Sequence, residues 1–152
     1  MMTYATMMDA LPDPDRHAEF YDGVTTKRGL AWLVDLLLIF AITVIIIPFT
    51  AFTALFFYPL LYLTVSFCYR WVALTRKSAT PGMRLFGIEF LNARGERLGG
   101  IESLLHVIGY TFSIGTLLVQ VLSVSLMLTT RRGQGLTDLV LGTVAINRAA
   151  RH

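Results

Sequence analysis

Arg28 and Asp35 stand seven residues apart in KRGLAWLVDLLLIFAITVIIIPF, an otherwise apolar run, and Asp138 stands in LTDLVLGT near the C-terminus. Two carboxylates and one guanidinium in apolar surroundings can serve in two ways. They can tie chain segments together as a buried network. Alternatively, they form a net negative site that raises one carboxyl pKa or attracts a cation, and acids within membranes often mark ion or proton paths. A seven-residue spacing is about 700° of helix turn, roughly 20° from the same face, with an axial separation of about 10.5 Å. Helical side chains lean toward the N-terminus, so Arg28 points toward the headgroup level and away from Asp35. An arginine placed there snorkels and needs no partner. Asp35 is too short to do so. At the centre of a membrane helix an aspartate costs roughly 2.5–3.5 kcal/mol, and less at this depth. It therefore calls for a partner or a wet cavity inside the protein.

The elements that must hold these residues are blocks of apolar sequence. The chain has 152 residues, enough for one domain, of which 55% are hydrophobic and 15% charged. No charged residue occurs between Asp35 and Arg70, nor between Glu102 and Arg131. As helix these gaps are worth roughly 50 and 42 Å, against ~30 Å for one crossing of the hydrocarbon. The chain is expected to be an integral membrane protein. The expected fold is all-α, with about three to four transmembrane or re-entrant helices and a small cytoplasmic two-stranded β element. Residues 1–26 read as a flexible acidic tail without the pattern of a cleavable signal peptide. A membrane domain then covers 27–147, followed by a tail over 148–152. Within it, helix 28–47 ends at Pro48 and a second helix covers 50–74, with Pro59 either kinking it or marking its first turn. A loop spans 75–100, an apolar segment 101–130, and a C-terminal strand motif 136–147.

Lys and Arg fall before the first helix, after the second, and after the third apolar segment, while the first turn has none. By the positive-inside rule the N-terminus and the 75–100 loop are cytoplasmic. Orientation bias also accounts for the basic balance without a nucleic-acid partner. One long helix over 103–130 would export the last basic block; a bend near GYTFSIGT would return it. Each arm would then be about 21 Å, too short for a full crossing. GIEFLN (87–92) and GTVAIN (142–147) both alternate with a strand's period of two, and NARGE after the first is a turn signal. Paired strands must share a side, which favours an even number of passes.

The motifs resemble those of the RDD family of small bacterial membrane proteins. Arg28, Ala31 and Asp35 in RGLAWLVD form the first; TPGMRLFGI (80–88), with Thr80, Gly82, Arg84 and Gly87, the second; LTDLVLGT (136–143), with Asp138, Gly142 and Thr143, the third. Met83 stands where the family commonly has lysine and Thr137 where it commonly has histidine. The second departure removes a group that titrates near neutral pH. The resemblance implies a multi-pass protein of the bacterial inner membrane and a role in transport, without naming a substrate.

No His-Glu-x-x-His, cysteine pair, Walker loop or Gly-x-Ser-x-Gly is present, so no enzyme, metal site or cofactor is expected. Cys68 is the lone cysteine, and His17, His106 and His152 are scattered, His106 reading as a packed or interfacial histidine. Small polar residues of the third apolar segment, such as Ser113 and Ser123, fit helix packing or a homo-oligomer. Two functions stay open. One is a small oligomeric transporter or cation/proton pathway built on Arg28, Asp35 and Asp138. The other is an accessory subunit of a larger membrane complex in which these three residues form a packing lock.

Overall fold

A computed structural model describes residues 10–151. The elements in chain order are α1 (Val24–Phe49), α2 (Tyr58–Lys77), α3 (Pro81–Leu85), β1 (Ile88–Leu91), α4 (Gly100–Gly115), α5 (Leu117–Thr129), α6 (Leu136–Leu141) and β2 (Val144–Asn147). α1 buries Val24, Ala31, Asp35, Ile39, Thr43 and Ile47, a stripe at helical spacing. Its other faces leave Leu33, Leu37, Phe40 and Ile45 exposed. A helix that is apolar all round and buried on one stripe belongs in lipid. Two stretches, Ala18–Phe49 and Thr53–Lys77, are long and apolar enough to cross a membrane. The protein is a mostly helical membrane protein with one small sheet.

Pro48 sits differently from the sequence expectation, and Pro59 takes the second of the two places left open for it. Pro48 lies inside the last turn of α1, which runs on to Phe49. Its missing N–H removes one hydrogen bond near an end that frays anyway, and Thr50 Oγ1 donates to the Ile47 carbonyl. The second helix starts at Tyr58, not at 50, with Pro59 in its first turn, where proline's fixed φ suits a helix start. A 3-10 turn over Thr53–Phe57 precedes it.

The third apolar segment breaks at Thr116, whose extended backbone (φ −123°, ψ 100°) ends α4. α5 then leaves at 116° to α4. Ser113 Oγ donates to Gln120 Oε1 across the bend at 2.8 Å. β1 and β2 pair antiparallel, Ile88 opposite Asn147 and Leu91 opposite Val144, so the chain comes back to where it left. The NARGE turn forms as expected, with Gly95 at φ +75° and Asn92 Oδ1 accepting from the N–H groups of Arg94 and Glu96.

Three expectations for the connecting segments fail. The 75–100 stretch is not all loop, since Pro81–Leu85 is helical, capped by Thr80 accepting from the Met83 N–H. The 136–147 stretch is not all strand: Leu136–Leu141 is a helical turn closed by left-handed Gly142, and only Val144–Asn147 is extended. The periodicity of LTDLVL is too short to separate the two. Of the tail, Met1–Asp9 lie outside the described residues, but Leu11 is buried against Leu91, Val144 and Ile146 with Phe20 and Tyr21. Asn147 Nδ2 donates to the carbonyls of Glu19 and Asp22, fixing the tail to the sheet end. The apolar residues hidden among acidic ones dock it. The other tail is a 3-10 turn, Arg148–Arg151, whose two arginines join Arg97 around the buried carboxylate of Glu89.

Candidate functional site

The predicted triad separates into two clusters, one turn-pair apart on α1. Arg28 is not the partnerless anchor that the sequence suggests. Its Nη1 donates to Asp138 Oδ2 at 2.6 Å and to the Gly133 carbonyl at 2.9 Å, and its guanidinium lies 5.3 Å from the centre of the Phe90 ring. A partner within reach outweighs the interface, because Asp138 is 1% exposed and uncompensated there without it. Asp138 also accepts from the Gly135 N–H at 3.0 Å and Thr143 Oγ1 at 2.9 Å, and its Oδ1 is 3.0 Å from His106 Nε2. With Asp138 ionised, that ring nitrogen carries the proton and donates. The Phe90 ring also packs against His106, tilted at 51° with centroids 4.4 Å apart, so β1 supplies one ring that touches both the arginine and the histidine. Burial alone would raise the Asp138 pKa. The Arg28 charge and the His106 and Arg28 hydrogen bonds outweigh it and hold the carboxyl well below its usual range.

Asp35, also 1% exposed, belongs to the second cluster. Its carboxylate accepts from Tyr69 Oη at 2.8 Å, from Thr80 Oγ1, and from the backbone N–H of Gly82 at 2.8 Å. Arg70 Nη1 stands 3.9 Å from Oδ2. Asp35 thus ties α1 to α2 and to the first turn of α3, where a carboxylate also suits the helix dipole. The three residues do not form one net negative site: each carboxylate faces its own arginine.

The supporting residues divide by role. Thr80 and the Gly82 N–H hold Asp35, and Thr143 holds Asp138. Gly87 (φ +69°) and Gly142 (φ +71°) make the left-handed turns that lead into β1 and β2. Arg84 is exposed while Met83 is buried, so Arg84 does not bring its charge to the buried position that Met83 holds. The sequence reading missed Tyr69, Arg70 and His106. Tyr69 and Arg70 lie in the second half of α2 outside the three motifs, and His106 has no motif around it. A buried aspartate's need for a partner was the one available signal.

Both clusters line a cavity of about 410 Å³. Its wall is largely apolar, with Trp32, Val107, Ile114 and Met127 among the lining residues, and Arg28, Arg70, Asp35 and Asp138 as its charged groups. Trp32 Nε1 donates to Tyr110 Oη at 2.7 Å across the space between α1 and α4. A mainly apolar space of this size with a few convergent polar groups is the usual form of a small-molecule site.

Searches of curated proteins and of solved structures found no match. A family model, the RDD family, matches residues 23–142 and so takes in every lining residue of the cavity and both clusters except Thr143. The chain belongs to the RDD family.

Proposed function

We propose that this is a small membrane transport protein whose binding chamber is the cavity between α1, α2, α4 and α5. The two charged clusters hold the chamber walls together; they are not ligands for a passing cation. The observation that carries this is the saturation of both carboxylates. Asp138 already accepts from Arg28, His106, Thr143 and Gly135, and Asp35 from Tyr69, Thr80 and Gly82. A cation would have to displace these groups and sit beside an arginine. The protein is multi-pass in a bacterial inner membrane, with N-terminus and sheet on the cytoplasmic side, and the bent pair α4–α5 enters and leaves by the same face. The position of the basic residues and the β1–β2 pairing support that arrangement.

Trp71→Phe leaves Trp32, which lines the chamber, as the sole tryptophan. In that background a brominated decyl chain in the chamber quenches its fluorescence saturably. Ser113 is a buried, small lining residue bonded to Gln120. Ser113→Phe fills the space and removes the saturable quenching, while Ser113→Ala, which loses the same bond, keeps it. Equal quenching in all three proteins would rule out a chamber. Sodium- and pH-sensitive dyes in proteoliposomes test the cation pathway: a flux lost in folded Asp35→Asn would replace the present reading.

A homo-oligomer or larger complex is the second reading. None of the most apolar stretch of Thr53–Lys77 is buried within the chain, so this face is open to lipid or to another helix. Cys68 is exposed on α2, and bismaleimide cross-linking through it in native membranes distinguishes the two.

A further inference from the structure

Among the described residues, Arg70 is the one charged residue of the chamber with a buried donor that has no partner. It is 8% exposed, and its Nε is buried with no hydrogen-bond partner among the described residues. Its contact with Asp35 is 3.9 Å from Nη1 to Oδ2, an ion pair too long to be a hydrogen bond. The guanidinium carbon instead lies over the Tyr110 ring, 4.2 Å from its centre. That contact occupies none of its N–H groups and leaves the Nε donor without an acceptor, and a guanidinium suits a carboxylate or phosphate oxyanion. Elsewhere in the chamber the acceptors are already used: Asp35 and Asp138 are saturated, as described above. What the chamber lacks is an acceptor, not a donor.

The surroundings say what the acceptor is attached to. Arg70 also lines a second space of about 80 Å³, walled by Leu36, Tyr62, Leu63 and Ile114. The guanidinium therefore sits at the junction of two largely apolar spaces, within a helix that faces lipid.

We infer that the chamber takes an amphipathic anion, an alkyl chain with a carboxylate or phosphate head, and that Arg70 is the residue that binds the head. This rests on the cavity being a binding chamber. The alkyl chain lies along the apolar wall formed by Val107, Ile114, Val124 and Met127. The same head chemistry can come from a free fatty-acid-like amphiphile or from an anionic phospholipid.

The test uses the full-length Trp71→Phe protein in phosphatidylcholine nanodiscs, read by Trp32 quenching. Brominated decanoate is the probe, with brominated decanol and brominated decyltrimethylammonium as neutral and cationic counterparts. Decanoate is expected to bind at least about tenfold more tightly than the other two, the worth of one charge-assisted pair. Arg70→Gln is expected to erase that preference, and Arg70→Lys to keep part of it. Should Arg70→Gln not fold, the charge series on the unaltered Arg70 still decides. Indifference to head charge, preference for the cation, or equal anion preference in folded Arg70→Gln would overturn the inference. So would inorganic phosphate displacing the probe as well as unbrominated decyl phosphate does, because the chain would then contribute nothing. Nanodiscs with added phosphatidylglycerol separate the sources: competition with decanoate identifies a bilayer lipid, and its absence a free amphiphile, either one upholding the anion site. Failure of the chamber itself reads differently, as no saturable quenching by any probe.

Discussion

A Cβ built on Gly82 would stand 2.2 Å from the carbonyl oxygen of Ala31 and 2.9 Å from the carboxylate of Asp35. α3 therefore rests directly on the backbone of α1, and this contact lets the Gly82 N–H reach Asp35 at 2.8 Å. The first and second family motifs meet at this point: Ala31 is small enough to admit α3, and Gly82 has no side chain to hold it off.

Gly82→Ala should thus be severe. The close atoms are backbone, which cannot move aside cheaply, so a loss of roughly 2–4 kcal/mol is expected, from overpacking together with a weakened buried hydrogen bond. Gly29 of α1 is the control, since a Cβ there meets nothing within 4 Å. Gly29→Ala should be neutral or stabilising by up to about 1 kcal/mol. Thermal unfolding of the two variants in one detergent makes the comparison.

The depressed pKa of Asp138 fixes a pH window. A carboxyl whose folded pKa lies below its ordinary value of 3.8 contributes stability that is fully present above that value. The contribution is lost as pH falls from there through the folded pKa. The stability difference between the wild type and Asp138→Asn should accordingly shrink as pH falls below about pH 4. A difference that already collapses near neutral pH would mean that Asp138 is not held as an ion pair.

Pairing of β1 with β2 makes a topological prediction. Single cysteines at the exposed positions Arg94 and Ala149, in a Cys68→Ala background, should react with a membrane-impermeant maleimide from the same side. Labelling from opposite sides would separate the strands and break every contact between α1 and α6.

Much of this fold can be read from the sequence, and the misreadings have a common cause. Charge-free runs locate the spans, and the period-two patterns of GIEFLN and GTVAIN locate the two strands, because lipid and pleat each impose a strict rule on residue order. Short helices obey no such rule. α3 and α6 hold too few residues for a period to show, and they are the elements that carry the partners of Asp35 and Asp138. His106 illustrates the same limit. Thr137 stands where the family motif commonly has histidine, yet a histidine reaches Asp138 from α4, while Thr137 packs against Gly109 of that helix. Sequence order hides this replacement, and only the crossing of α4 over α6 reveals it. Arg28 was misplaced for a similar reason, since its reach to Asp138 depends on how the chain returns.

The pairing of Arg28 with Asp138 as a lock is tested most directly by a double-mutant cycle on thermal unfolding, comparing wild type, Arg28→Gln, Asp138→Asn and the double variant. Each single change strands a buried charge and is expected to cost roughly 3–5 kcal/mol. The double variant keeps hydrogen-bonding groups at both positions without either charge. A lock predicts that it loses less than the sum of the singles, with a coupling of at least about 1 kcal/mol. Strict additivity of the two losses would contradict it.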